Sequence, residues 1–158
     1  MAKVILLCGK ICCGKTTYAA KLRHSERAVI LSADEITLLF GQYLGHRHDE
    51  FVAKAQTYLL NKAVEIVHTG INVILDWGFW TQSSRHDTRK FFAEKGIDTE
   101  MHYLHLSDED WHARIEKRNA VVSAGDGSAY FIDENLLRKC LDRFEAPAES
   151  EVDIFIKQ

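Results

Sequence analysis

The sequence predicts an α/β domain of three layers, in which a doubly wound parallel sheet carries helices on both faces. Short apolar runs recur along the chain, and segments with helical periodicity separate them. Continuous rather than alternating apolar runs are typical of parallel strands that are buried on both faces. A glycine-rich turn directly follows the first run. Because ligands of such sheets bind at the carboxyl ends of the strands, the sequence predicts chemistry at that edge.

Five segments are predicted to form the strands, and the fifth has the weakest pattern. They are residues 3–8, 28–31, 72–75, 100–106 and 153–156. The first run, Val4 to Cys8, holds only five apolar residues before the glycine-rich turn. A run of that length is too short for a signal sequence or a membrane span, so we interpret it as a buried strand.

Helices are predicted between these strands. Apolar residues recur every three or four positions from Phe51 to Ile66, as on one face of a helix, and Gly70 follows as a stop signal. Ser107 and Asp110 have the spacing of a capping box, which predicts a helix start. Further helices are predicted at about residues 35–40 and 82–95, and a last one begins after the start signal Asp133 and ends before Pro147.

Length and composition favour one domain that spans residues 1–158. The chain carries a formal net charge of −3, and its sequence has no run of Lys or Arg to attract duplex nucleic acid. Its four cysteines include the neighbours Cys12 and Cys13, which make a poor disulfide framework. Reduced thiols, and with them a cytoplasmic location, are therefore expected.

A phosphate-binding motif follows the first strand, because residues 9–16 have the pattern GxxxxGK[ST] and precede a helical stretch. Glycine at each end lets the backbone curl so that N–H groups point at phosphate oxygens. Lys15 is expected to bridge the β- and γ-phosphates of a purine triphosphate, with ATP as the expected nucleotide, and Thr16 to hold Mg²⁺. The alternative is a tight glycine turn without a ligand. The predicted nucleotide contacts are Gly9, Lys10, Ile11, Cys12, Cys13, Gly14, Lys15, Thr16 and Thr17.

A carboxylate follows the second predicted strand. Asp34 lies just beyond Leu31, at the carboxyl end of the sheet. From there it can accept a proton from an acceptor hydroxyl that attacks the γ-phosphate, the role of a general base in phosphoryl transfer. Asp is equally suited to cap the following helix, and the two roles are compatible. We predict that Asp34 is catalytic and contacts the acceptor.

The third predicted strand also ends in a carboxylate. Asp76 follows the apolar run and precedes Gly78. Its position resembles that of a Walker B carboxylate, which orders Mg²⁺ and its waters beside a phosphate-binding loop. Thr16 and Asp76 are therefore the predicted metal ligands, and Asp76 is also expected on the substrate side. A turn Asp beside Gly78 is the alternative.

Basic residues are predicted to neutralise charge at the reacting phosphate. Arg114 and Arg118 lie one helical turn apart, on a helix that leads into Ser123–Ser128, the best candidate for a mobile loop. We predict that both are catalytic and that a lid covers about residues 114–130. A solvated helix face is the alternative. Arg47, in the cluster of residues 45–49, and Arg85, one helical turn before Arg89, are predicted to contact the acceptor. For each of them the alternative, a solvated side chain without a role at the site, is equally open.

Together these residues resemble the small P-loop kinases of the zeta-toxin, polynucleotide-kinase and gluconate-kinase group, also called AAA-type kinases. The resemblance covers nearly the whole chain and rests on the glycine loop, Asp34, Asp76, residues 106–119 and residues 143–147. It implies a P-loop NTPase fold with a parallel five-stranded sheet and a short lid. It also implies a base at Asp34 and lid arginines, Arg114 or Arg118, on the phosphates.

One departure from that group bears on the acceptor. Its polynucleotide kinases carry an Arg three residues beyond the catalytic Asp, whereas this chain has Thr37. The favoured hypothesis is therefore a kinase that moves the γ-phosphate of ATP, with Mg²⁺, to a hydroxyl of a small-molecule acceptor. A kinase of nucleotides or nucleic-acid ends is the second hypothesis, and a nucleotide-binding switch or ATPase is the third. Neither a nucleic-acid partner nor a membrane partner is expected.

Overall fold

The core is a sheet of five parallel strands in the order β2-β3-β1-β4-β5. The computed structural model describes residues 1–125 and 131–158. All five predicted strands are confirmed, and the last two are displaced by one residue from their predicted bounds. They are β1 (Val4–Cys8), β2 (Ala28–Leu31), β3 (Asn72–Leu75), β4 (Thr99–His105) and β5 (Ile154–Lys157).

The helices follow the predicted pattern but run longer in places. The α-helices of the described residues are α1 (Lys15–Glu26), α2 (Ala33–Leu44), α3 (His48–His68), α4 (Gln82–Ala93), α5 (Asp108–Ser123) and α6 (Glu134–Arg143). Ser107 caps α5, because its hydroxyl accepts a hydrogen bond from the Asp110 N–H at 3.2 Å. Asp133 caps α6 in the same way, with the Leu136 N–H at 2.7 Å. The predicted start signals of both helices are therefore confirmed.

Two apolar clusters pack on opposite faces of the sheet. Val4 and Leu6 of β1 belong to one cluster, together with residues of α3 and α4. Ile5 and Leu7 belong to the other, together with residues of α1 and α5. All of these β1 side chains are 0% exposed, and complete burial of one such side chain contributes ~1.5–3 kcal/mol. The three layers predicted from the continuous apolar runs are therefore present.

The strand order reverses around β1, which pairs with β3 on one side and with β4 on the other. The loops that follow β1 and β3 meet at the carboxyl edge, where the Gly9 N–H donates to the Gly78 carbonyl at 3.2 Å. Such a switch point is where doubly wound sheets bind ligands. The fold therefore brings the glycine-rich loop and the end of β3 together.

Only part of the predicted lid can be compared with the structure. Residues 114–123 form the second half of α5, and the chain leaves that helix at Ala124. Residues 126–130, with most of the predicted mobile loop Ser123–Ser128, lie outside the described residues. The lid therefore stays a prediction. Among the helices of residues 1–125 and 131–158, none is long and apolar enough to cross a bilayer.

Candidate active site

The loop between β1 and α1 has the backbone that its two glycines allow. A Cβ at Gly9 would lie 2.5 Å from the Cys13 sulfur and 2.8 Å from the Leu104 carbonyl oxygen, so only glycine fits there. Gly14 precedes α1 with φ 97°, a left-handed conformation that side chains disfavour. Backbone N–H groups next to a helix N-terminus suit an anionic ligand. The loop is thus built to bind phosphate.

Lys15 lies across this loop. Its ammonium donates hydrogen bonds to the carbonyl oxygens of Gly9 at 3.1 Å and Lys10 at 2.8 Å. The side chain therefore turns back over the loop rather than out along α1. Phosphate oxygens bound in the loop would lie within reach of the same positive charge, because these two carbonyl groups belong to the loop itself.

Helix α5 contacts the loop with three side chains. The Trp111 indole N–H donates to the Ile11 carbonyl at 2.6 Å, and Arg114 Nη1 donates to the Cys13 carbonyl at 3.3 Å. Arg118 Nη1 lies 3.4 Å from the Cys12 sulfur. The structure thus brings both predicted arginines to the loop, and both are half-buried rather than on a solvated face.

Thr16 and Asp76 lie side by side at the start of α1 and the end of β3. The Thr16 hydroxyl lies close enough to the Asp76 carboxyl to act on its pKa. Asp76 is 4% exposed, and this burial raises its pKa, while the Thr16 hydroxyl and the Lys15 charge act in the opposite direction. A hydroxyl beside one carboxylate fits Mg²⁺, which takes few protein oxygens and completes its shell with phosphate and water.

Asp34 lies in the first turn of α2, and its carboxylate is reached by solvent. Protein atoms surround it closely enough that loss of water raises its pKa. Lys15 and Arg118 act in the opposite direction, whereas the charge of Asp76 raises the pKa further. A carboxylate that is both accessible and partly dehydrated belongs in an open cleft. Its neighbours place that cleft at the phosphate-binding loop.

The alternative role for Asp34 as a helix cap is wrong. Ser32 occupies the N-cap position of α2, and its hydroxyl accepts a hydrogen bond from the Glu35 N–H at 3.4 Å. Asp34 lies two positions further on, within the helix. Its carboxylate is therefore available to the cleft instead of being used to start α2.

The structure corrects the prediction for Arg85. That side chain is 1% exposed, and its guanidinium donates to the Glu151 carboxylate at 2.9 Å and to the Glu145 carbonyl at 2.8 Å. It also donates to the Phe79 carbonyl at 3.1 Å. Arg85 therefore joins α4 to the C-terminal segment and the loop after β3. A guanidinium used in this way is a structural cross-link and does not contact an acceptor.

Arg47 lies in a short 3-10 turn between α2 and α3, and its side chain is exposed and paired with Glu50 at 3.3 Å. Its role toward an acceptor stays a prediction. The neighbouring His48 is nearer to the chemistry, because its charge acts on the pKa of Asp34. Within the basic cluster of residues 45–49, it is therefore His48 that the structure brings to Asp34.

Sequence reasoning missed Trp111 as a residue of this site. Its contact with Ile11 joins positions that are 100 residues apart, and no local pattern announces it. Only its place on the helix of Arg114 gave a signal. Positions three apart in a helix share a face, so a residue three before a predicted site arginine was a candidate for the same surface.

Comparison with known proteins places the chain among proteins of this fold. A family model described as an AAA domain matches residues 4–147. A sugar kinase from Janibacter sp. HTCC2649 is 18% identical with a TM-score of 0.71, and the match covers 99% of this chain and 86% of that one. In sequence, no protein of curated function matches the chain.

Two further solved structures have the same fold. One is the APS kinase CysC of Mycobacterium tuberculosis in complex with AMPPNP and APS, at 17% identity and a TM-score of 0.72, covering 99% of this chain and 88% of that one. The other is a gluconokinase from Sinorhizobium meliloti 1021, at 13% identity and a TM-score of 0.68, covering 98% and 81%. At these identities the likeness establishes the fold, which is the α/β P-loop fold that the motifs predicted.

Proposed function

The chain belongs to the AAA domain family whose model matches residues 4–147, and from that premise we propose that it is an ATP-dependent small-molecule kinase. It would move the γ-phosphate onto a hydroxyl of the acceptor. The observation that carries this proposal is the position of Asp34, an accessible carboxylate whose pKa responds to the charges of Lys15 and Arg118. A hydrolase that positions only water needs no such base for an acceptor hydroxyl.

The phosphate side of the reaction is assigned to the loop and its cations. Lys15 and the N–H groups of the loop would hold the triphosphate, and Arg114 and Arg118 would neutralise charge that develops on the transferred group. Both arginines already contact the loop, at 3.3 Å from the Cys13 carbonyl and 3.4 Å from the Cys12 sulfur. Little rearrangement is needed for them to reach a bound phosphate.

Thr16 and Asp76 are the residues that would hold Mg²⁺. Bound there, the ion would offset phosphate charge and orient the β- and γ-phosphates. The Thr16 hydroxyl lowers the pKa of the Asp76 carboxyl, an effect that requires the two groups to lie close together. Burial raises the pKa of the Asp76 carboxyl, and a positive charge at this position would favour its ionised form.

Asp34 would act as the general base. It accepts the proton that the acceptor hydroxyl loses as the hydroxyl oxygen bonds to the γ-phosphorus. ADP leaves with the electron pair of the P–O bond that breaks. The raised pKa of Asp34 makes its carboxylate a stronger proton acceptor than an exposed Asp. The charges of Lys15 and Arg118 oppose this rise in pKa and favour the charged form, and Asp34 stays exposed to solvent.

The acceptor that this cleft favours is small. Thr37 is 0% exposed, and its hydroxyl donates to the Asp34 carbonyl at 3.1 Å, so its side chain points into the protein rather than toward an acceptor phosphate. Three similar structures are a sugar kinase, a gluconokinase and an APS kinase, which by their names act on small molecules.

We also propose a cytoplasmic location, because all four cysteines are free.

The proposal is tested by turnover of ATP in the presence and absence of pooled acceptors. The pools contain sugars, nucleosides, aminocyclitols or oligonucleotides, and the measured quantities are ADP release and the mass of the acceptor. A kinase releases ADP only with the right pool and adds one phosphate to a member of it. ADP release that no acceptor accelerates would assign the chain to the ATPases or switches instead, and a phosphorylated oligonucleotide would replace the proposed acceptor class.

A further inference from the structure

Trp111 contacts the phosphate-binding loop from a distant part of the chain. The side chain is 1% exposed, and its indole N–H donates to the Ile11 carbonyl at 2.6 Å. An indole N–H that is buried without a partner costs free energy, and so does a loop carbonyl that loses water without gaining a donor. Each group satisfies the other. The contact therefore fixes one peptide group of the loop relative to α5.

That contact decides which way the loop's N–H groups point. In a planar trans peptide the carbonyl of Ile11 and the N–H of Cys12 point in opposite directions. Among the described residues no peptide bond is cis. Since the Ile11 carbonyl is turned toward the Trp111 indole, the Cys12 N–H points away from that side chain, and there we place the phosphate oxygens that the loop would bind.

The same helix face makes a second contact, with the carbonyl of Cys13. Arg114 lies three positions after Trp111 and donates to the Cys13 carbonyl at 3.3 Å, which turns the Gly14 N–H away from α5. Lys10 adds a third contact, because its ammonium lies 4.6 Å from the centre of the Trp111 ring and 3.0 Å from the Asp108 carboxylate. Residues of one helix thus hold this part of the loop at three points.

We propose that Trp111 is a positioning residue for nucleotide binding, which sets the direction of the Cys12 N–H without touching the nucleotide. The inference rests on the proposed function, since it assigns Trp111 to the same phosphate site. Without the indole N–H, the Ile11 carbonyl loses its buried partner and the peptide group between Ile11 and Cys12 can rotate. Ordering it again on each binding event lowers affinity.

The test compares two Trp→Phe variants. Trp111→Phe removes a donor that bonds to the loop. Trp80→Phe removes an indole N–H that is buried and has no hydrogen-bond partner among the residues that the structure describes, so it is a matched control for ring size. The dissociation constant of Mg-AMPPNP, the KM for ATP, the kcat and the unfolding midpoint without nucleotide are measured for both.

Trp111→Phe should weaken Mg-AMPPNP binding and raise the KM for ATP, each about tenfold, and should retain the kcat at saturating ATP. Trp80→Phe should leave the dissociation constant of Mg-AMPPNP unchanged. A lower unfolding midpoint with an unchanged dissociation constant would give Trp111 a structural role only and overturn the inference. Wild-type protein that binds no Mg-AMPPNP would overturn the proposed function first and the inference with it.

A second variant keeps the test decisive if Trp111→Phe does not fold. Incorporation of benzothienylalanine at position 111 replaces the indole N–H by sulfur and keeps the two fused rings, so packing in the core is preserved. The same loss of affinity is expected, because only the hydrogen bond is removed. Wild-type affinity in a folded benzothienyl variant contradicts the proposal.

Discussion

The two halves of the candidate site differ in how they are built. The phosphate-binding half is made of backbone and is held on several sides, with the Ile11 carbonyl bonded to Trp111 and the Cys13 carbonyl to Arg114. The half around Asp34 consists of side chains beside an open cleft, and Asp34 itself is exposed. The first half hardly depends on which acceptor is used, whereas the second must match it.

This difference shows where specificity lies. A phosphate chain is the same in every reaction of this kind, so a rigid backbone cradle with few adjustable parts is suitable for it. An acceptor is recognised by side chains, and we propose that the cluster of residues 45–49 and the first turn of α2 supply them in this chain. Substitutions in the first half should therefore abolish transfer to any acceptor, and substitutions in the second should alter its chemistry or its specificity.

The largest effect is expected in the phosphate half. Lys15→Ala removes the ammonium that spans the loop and should lower transfer on the order of 10³-fold, because charge on the transferred group loses a fixed counter-charge. Steady-state release of ADP measures it. The unfolding midpoint without nucleotide should change little, and transfer at the wild-type rate would refute the assignment of the loop.

Substitutions of Arg114 and Arg118 should have different kinetic effects, which tests the comparison between the two halves of the site. Arg118 influences the pKa of Asp34 and so acts on both halves, whereas Arg114 donates to the Cys13 carbonyl of the loop. We expect Arg118→Ala to lower kcat about 10²-fold and Arg114→Ala to lower it less, with its main effect on the KM for ATP. Equal losses in kcat for both variants would contradict a separate role for Arg118.

The pH dependence of kcat/KM tests the acceptor half. Burial raises the pKa of Asp34 above its ordinary 3.8, and the base must be ionised. The acid limb of the profile should therefore lie at higher pH than an exposed Asp would give. Asp76→Asn removes a negative charge that raises the pKa of Asp34, so the limb should move to lower pH in the remaining activity. A limb that does not move contradicts the coupling of these carboxyls.

The raised pKa values of Asp34 and Asp76 also affect the stability of the protein, in the direction opposite to their effect on activity. Asp34 and Asp76 both have raised pKa values in the folded protein, so the folded state binds protons more tightly than the unfolded state. Between 3.8 and the raised values, the contribution of these groups to the free energy of unfolding falls as the pH rises. Activity and this part of the stability should thus respond to pH in opposite directions.

The smallest effect is expected from thiol labelling. Cys12 is half-buried, whereas Cys8 and Cys140 are 0% and Cys13 is 1% exposed. Burial also raises the pKa of Cys8 to about 11, which keeps that thiol protonated and unreactive. Iodoacetamide should therefore label Cys12 first, and Mg-ATP should slow the reaction by covering the loop. Peptide mass spectrometry identifies the labelled residue, and equal rates with and without nucleotide would disprove the protection.

Most of the fold could be predicted from the sequence, because its signals are local. The strands are short apolar runs, and Ser107 and Asp133 mark helix starts that need no distant partner. The glycine loop was predictable for the same reason. Asp34 and Asp76 followed from their positions after β2 and β3, since the carboxyl ends of parallel strands share one edge.

What the sequence could not show depends on contacts between distant segments. Arg85 and Arg89 have the one-turn spacing of a functional pair, but the partner that fixes Arg85 is Glu151, far along the chain. The spacing predicts a shared helix face and not whether that face is buried. Trp111 was missed for the same reason, because its partner Ile11 lies in the first loop of the chain.

The most direct test of the proposed kinase is a pair of measurements on Asp34→Asn. Affinity for Mg-AMPPNP and acceptor-dependent release of ADP are compared with those of wild type and of Glu35→Gln, which removes an exposed neighbouring carboxylate of the same helix turn. Asp34→Asn should retain the affinity and lower transfer by ~10²–10⁴-fold, while Glu35→Gln should change neither. Transfer by Asp34→Asn at the wild-type rate would contradict the account, because no base at Asp34 would then be required.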